Sequence, residues 1–108
     1  MLFSPECEHC QHEAGELYKY RDSLANIQIV MASFYPLWEI KDFGAKYQLD
    51  QMPNVVLGKD VYYFMPSFYM IHNLPFLAFY DDKGKLITTF EGTMPFSRLL
   101  ATFKKEGL

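Results

Sequence analysis

The chain holds two cysteines, and both lie in the stretch Ser4-Pro5-Glu6-Cys7-Glu8-His9-Cys10. Side chains three residues apart on a helix are neighbours, with Cβ atoms about 5–6 Å apart. A disulfide needs about 3.5–4.5 Å, so a slightly tightened first turn can close or open the bond with little movement. From Cys10 the positions Cys10, Ala14, Leu17, Tyr20 with Arg21, and Leu24 follow one helical stripe. Met1-Leu2-Phe3 reads as the tail of an apolar strand just before them. Strand, tight turn carrying C-x-x-C, then helix is the setting in which this spacing marks a dithiol redox site.

The two sulfurs are not equivalent. Cys7 falls at the helix start, where unpaired backbone N–H groups and the macrodipole favour negative charge. Its thiol is therefore expected to be more acidic than the usual value of about 8.5 and to be the nucleophile. Cys10 belongs to the inward stripe and is expected to stay protonated, shielded and second to act. His9, when protonated, favours the Cys7 thiolate, whereas Glu6 and Glu8 oppose it. With both carboxylates in water, the helix end is expected to prevail. A purely structural disulfide is the plain alternative, but so short a loop constrains the unfolded chain only weakly. Cys7, His9, Cys10 and His12, with His72, also make a thiolate–imidazole set suited to Cu(I) or zinc. Gln11 in place of a histidine after Cys10 argues against c-type haem. No cofactor is expected, because the dithiol is its own redox group.

The elements that must position this pair can be read in order. At 108 residues the chain is expected to form one domain, 1–108, around a single core. Half its residues are apolar and 18% are aromatic, which excludes a disordered chain. A net charge of −3, with no basic run beyond Lys104-Lys105, argues against nucleic acid as a partner. No apolar run approaches the roughly 20 residues of a membrane span, and Met1-Leu2-Phe3 makes no secretion signal. The opening strand is short against the usual five or six residues or so. It is expected to be clipped and the chain to be a piece of a longer protein, with any membrane anchor outside it.

Ile27–Ser33 is expected to be a buried parallel strand. Pro36 opens a second helix, with Trp38, Phe43, Tyr47 and Leu49 as its apolar face and Gly44 as a weak spot. Trp38 is expected in the core or in a groove wall. Val55-Val56-Leu57 suits a short strand, and Asp60 could cap a helical turn from Val61, interrupted at Pro66. The aromatic run through Val61–Ile71 is core filler or, in part, a binding patch. Phe76–Tyr80 and Leu86–Phe90 make a hairpin, with Gly84 at a left-handed turn position. Thr93 is expected to cap a last helix with Pro95 in its first turn and Phe96, Leu99, Leu100 and Phe103 facing inward. Lys104 and Lys105 suit that helix's C-terminal end, and Gly107 its termination.

This order, β-α-β-α-insert-β-β-α with C-x-x-C at the first helix, resembles the thioredoxin fold, a three-layer α/β/α architecture with a mixed sheet. It is most similar to the redoxin-like thiol–disulfide branch, the TlpA/ResA-like proteins, through Phe3–Cys10, Leu74-Pro75-Phe76-Leu77 and Asp82–Ile87. The resemblance implies thiol–disulfide exchange with protein thiols and disulfides, an upstream redox partner, and a periplasmic or other extracytoplasmic setting. It also implies a cis peptide bond before Pro75, with the Leu74 backbone pairing to an incoming substrate strand. Two departures stand out. Glu6 occupies the place of the tryptophan that often precedes the first cysteine, and the strand that often carries a proton-transfer acid is mostly missing. Glu8, Glu13 and water are the candidates to accept the Cys10 proton. The Pro-x-x-x-Thr-x-x-Cys signature of peroxiredoxins is absent, and copper proteins of the related Sco type space their cysteines as C-x-x-x-C.

Overall fold

The computed structural model describes residues 1–61 and 70–105. The readings placed on residues 62–69, including the break at Pro66, and on Gly107 lie outside the described residues. The elements are α1 (Glu8–Lys19), β1 (Ile29–Ser33), α2 (Leu37–Lys46), a 3₁₀ turn (Leu49–Gln51), β2 (Val55–Lys59), β3 (Phe76–Tyr80), β4 (Leu86–Glu91) and α3 (Phe96–Lys105).

The opening residues join two halves of a sheet. Strands β1 and β2 pair in parallel, Ile29 opposite Val55 through Ser33 opposite Lys59. Strands β3 and β4 pair antiparallel, with an irregularity at Phe79/Tyr80. Leu2 bridges both halves, parallel to Ala32 and antiparallel to Phe76. The Leu2 N–H donates to Phe76 O at 2.8 Å and the Phe76 N–H to Leu2 O at 3.0 Å. On the other edge the Phe3 N–H donates to Ala32 O at 3.0 Å and the Ala32 N–H to Met1 O at 2.9 Å. The sheet order is therefore β2, β1, the Leu2 segment, β3, β4, a mixed sheet.

Helix α1 keeps its expected stripe as far as Leu17, with Cys10, Ala14 and Leu17 buried. It ends at Lys19, and Leu24 reaches the core from the turns that follow. Asn54 holds those turns: its Nδ2 donates to Leu24 O at 2.9 Å and to Ile27 O at 2.8 Å. Helix α2 starts after Pro36, whose carbonyl accepts from the Glu39 and Ile40 N–H groups. Its buried side is Ile40, Phe43 and Gly44. Phe43 packs against Phe3 with ring centroids 4.6 Å apart and the rings tilted by 33°. A Cβ on Gly44 would run into Leu57 Cδ1, so this glycine is what lets α2 sit down on β2. Helix α3 leans on the hairpin through Phe103 and Phe79, at 5.3 Å, and on the end of α1 through Phe96 stacked on Tyr20, at 3.9 Å.

Of the two places expected for Trp38, core or groove wall, the structure gives the wall: it is 70% exposed, on the side of the helix opposite Ile40, and lines a shallow cleft with Pro5, Asp42 and Phe43. Two other expectations change. Strand β1 is not buried on both faces: Met31 is buried, but Val30 and its register partner Val56 are exposed. Thr93 does not cap α3, which begins at Phe96 with the Pro95 carbonyl accepting from Arg98 and Leu99. The left-handed turn at Gly84 is present, with φ of 79°, and Asp81 Oδ1 braces it by accepting from the Lys83 and Lys85 N–H groups.

Removing the Asn54 amide would take a donor from two carbonyls of the α1–β1 connection, leaving Leu24 O with the Ile27 N–H alone. Asn54→Ala is expected to destabilise the fold by about 1–3 kcal/mol, measured as a lower denaturant midpoint at unchanged m-value.

Candidate active site

The turn that carries Cys7 is fixed by its own backbone and by three side chains. Ser4 is buried; its carbonyl accepts the Cys7 N–H at 3.1 Å and its hydroxyl the Glu6 N–H at 3.3 Å. Gln11 reaches back from α1 to donate to Pro5 O at 2.9 Å. Tyr35, in the loop after β1, donates its hydroxyl to Glu6 Oε2 at 3.2 Å.

Cys7 is the N-cap of α1, and its Sγ accepts the Cys10 N–H at 3.2 Å. A sulfur thus stands where Ser, Thr or Asp usually satisfies a free helix amide. Cys7 is half-buried, Cys10 fully buried, and both are free thiols. On its other side Cys7 Sγ lies 3.8 Å from the Leu74 carbonyl oxygen, to which its thiol donates. The Leu74–Pro75 peptide bond is cis, and the Pro75 carbonyl accepts the Gly92 N–H at 2.8 Å. The structure therefore brings Cys7, Cys10, Leu74 and Pro75 together. Glu6, Glu8 and His9 are exposed around them.

Cys10 and Glu13 share one environment. Burial pushes the Cys10 thiol up to about 12, helped by its hydrogen bond with Cys7 and opposed by a backbone hydrogen bond from Ser4. Glu13, one helical turn further on, is 2% exposed. Burial raises its carboxyl to about 7, and a backbone hydrogen bond from Met94 only partly offsets that. Of the candidate proton acceptors, Glu8 is in water and Glu13 is inside, within electrostatic reach of Cys10. The sequence signal was present: Glu13 interrupts the apolar stripe as a carboxylate between Cys10 and Ala14.

The thiolate–imidazole set does not assemble. Among the described residues no group of three or more His, Cys, Asp or Glu side chains could hold a metal ion. His9 is exposed, His12 pairs with Glu16 at 3.7 Å, and His72 is exposed with its N–H donating to Glu91 Oε1 at 2.8 Å.

No protein-family model matches the chain, and no curated protein matches it in sequence. Solved structures do. A secreted Mycobacterium tuberculosis disulfide oxidoreductase homologous to E. coli DsbE superposes with a TM-score of 0.78 at 19% identity, over 96% of this chain and 77% of that one. StoA from Bacillus subtilis gives 0.70 at 17% identity, over 94% and 78%. A putative thiol:disulfide interchange protein DsbE from Chlorobium tepidum gives 0.69 at 18% identity, over 96% and 74%. The fold is therefore thioredoxin-like, the three-layer α/β/α architecture with a mixed sheet. No described helix is long and apolar enough to cross a membrane.

Two measurements follow from the burial of Cys10 and Glu13. In the folded reduced protein at mildly alkaline pH, iodoacetamide should label Cys7 alone, with Cys10 reacting at least about tenfold more slowly until the protein is unfolded. Two equally labelled thiols would contradict the described burial. Glu13 holds its proton more tightly in the folded state than at its ordinary value of 4.5. Its contribution to stability is thus complete below pH 4.5 and lost as pH rises through about 7. Stability should fall across that window by on the order of 2–3 kcal/mol from this residue, and Glu13→Gln should flatten the fall in denaturant titrations.

Proposed function

We propose that the chain is a thiol–disulfide oxidoreductase that exchanges the Cys7–Cys10 dithiol with disulfides of protein substrates. One observation carries this reading: a half-buried sulfur capping a helix, against the Leu74 carbonyl, with a fully buried thiol one turn behind it. The structures it superposes on, themselves described as a disulfide oxidoreductase and a putative thiol:disulfide interchange protein, support the same class.

The steps follow from the placement. Cys7, as thiolate, attacks one sulfur of the substrate disulfide; that S–S bond breaks, and its electron pair leaves on the other substrate sulfur, which takes a proton from water. Cys7 is then tied to the substrate as a mixed disulfide. Its hydrogen bond and its charge, two of the influences holding the Cys10 thiol up, are gone at that point. Cys10 passes its proton to the Glu13 carboxylate and attacks Cys7. The substrate's second thiolate departs, and Cys7–Cys10 closes as the disulfide. The substrate is reduced by two electrons and the dithiol oxidised by two. Reversed, the same steps place a disulfide in a substrate.

Leu74 has a positioning role. Its carbonyl takes the Cys7 thiol in the reduced state, and it becomes free for a substrate N–H once Cys7 gives up its proton. Glu6, Glu8 and His9 form the charged rim that tunes Cys7 and meets the substrate. An upstream redox partner resets the pair. We place the activity outside the cytoplasm, where disulfides persist, in keeping with the secreted M. tuberculosis protein.

Cys10→Ala is expected to leave the first step intact and accumulate a mixed disulfide on Cys7, seen as a reductant-sensitive adduct by mass spectrometry. Cys7→Ala should abolish turnover of a disulfide-bonded protein. Unchanged turnover in either variant would sink the assignment.

A further inference from the structure

Glu13 Oε2 and Thr93 Oγ1 are buried and have no hydrogen-bond partner among the described residues. Buried polar atoms are rarely left so, and a water with two to four polar neighbours is their usual partner. The Met94 N–H, next in the chain to Thr93, donates to the Glu13 carboxyl. Thr93 and Met94 also line an open groove of about 390 Å³, whose facing wall is His12 and Glu16 of α1 and Tyr20 just past its end. One water fills about 30 Å³ of liquid, so the groove admits a file of them. Glu13 thus lies one hydrogen bond behind Met94, in the wall of a groove open to solvent.

We infer that Thr93 is a positioning residue for proton release: its hydroxyl holds a water against Glu13 Oε2, and that water carries the proton from Glu13 into the groove between α1 and the Thr93–Ser97 segment. The inference rests on the oxidoreductase reading and extends it past the proton acceptor. When Cys10 attacks Cys7, the proton moves from Cys10 Sγ to the Glu13 carboxylate. Glu13 then gives it to the Thr93-held water, which passes a proton on to groove water and is left neutral. Glu13 is returned as carboxylate for the next cycle, and no further oxidant or reductant enters.

The surroundings of Glu13 favour release in this direction. On α1 the ionisable neighbours are Cys7 and Cys10 towards the dithiol, and Glu16, with His12 paired to it at 3.7 Å, towards the groove. The Thr93–Ser97 segment and β1 carry no ionisable side chain. Arg98 of α3 lies over the Phe90 ring, 4.9 Å from its centre. Among the described residues no cation stands over the carboxyl to hold it charged, so water supplied through Thr93 is its route to solvent. The hydroxyl is also free for the task, because α3 takes its first-turn hydrogen bonds from the Pro95 carbonyl.

The test mixes the reduced protein with an aromatic disulfide whose thiolate is coloured. Cys7 attack gives a first phase of colour and Cys10 resolution a second, each followed as a function of pH. Thr93→Val keeps the shape and removes the hydroxyl. It should slow the second phase on the order of tenfold, below the roughly hundredfold or more of losing a general base outright. It should also move that phase's pH midpoint upward and leave the first phase unchanged. Thr93→Ser should behave as the parent, and in a Glu13→Gln background Thr93→Val should add nothing. An unchanged second phase in Thr93→Val overturns the inference. So does an equal slowing in the Glu13→Gln background, which would mark Thr93 as structural. Should Thr93→Val melt early, Thr93→Ala takes its place with the same expected outcomes. The parent reading fails separately: a second phase that persists in Cys10→Ala removes the dithiol mechanism itself.

Discussion

The geometry of the site depends on a seam of backbone hydrogen bonds made by Met1, Leu2 and Phe3. These residues join the β1–β2 pair to the β3–β4 hairpin, through Ala32 on one side and Phe76 on the other. Neither pair on its own would be a stable sheet in water. The same seam sets the candidate site. Leu2 fixes Phe76 and with it Leu74–Pro75 at the start of β3, while Phe3 leads directly into Ser4 and the turn that presents Cys7. The distance from the Cys7 sulfur to the Leu74 carbonyl is thus determined by sheet register rather than by a flexible loop. Register is hard to alter, because a slip of one residue would exchange buried Leu2 and Phe3 between faces.

Behind that frame, one physical cause acts on two groups. Removal from water disfavours the charged forms of both Cys10 and Glu13. The thiol is thereby kept dormant, and the carboxyl is brought to the range in which it can both take and give a proton. Matching of this kind is what general acid–base chemistry needs near neutral pH. The exposed carboxylates Glu6 and Glu8 and the exposed His9 are in a different medium, a rim governed by solvent and salt.

Much of this was legible in the residues. The start of α1, the β3–β4 hairpin with Gly84 in its turn, the final helix and the thioredoxin-like order all followed from periodicity and turn chemistry. Strand β2 was legible in Val55-Val56-Leu57, and the structure carries it on to Lys59. Trp38 was read as core or groove wall, and the phase of α2, set by Ile40, Phe43 and the close approach at Gly44, turns it outward into the wall. What was missed has definite causes. Glu13 was one candidate among three until its burial distinguished it, since spacing puts a residue on a face but does not give its distance from water. Thr93 was read as a cap from local chemistry, and the helix begins further on, where Pro95 supplies the carbonyl. The Val30 and Val56 pair is the opposite case, apolar residues on a face that is open among the described residues.

One consequence follows from a sulfur standing where a helix cap usually sits. The acceptor that satisfies the Cys10 amide is the atom proposed to react. Whenever Cys7 bonds to another sulfur it becomes a weaker acceptor, and a lost cap costs a helix about 0.5–2 kcal/mol. Electron transfer and the firmness of the opening turn of α1 are therefore coupled. A partner that grips that turn more readily when it loosens could tell the spent protein from the charged one without touching either cysteine.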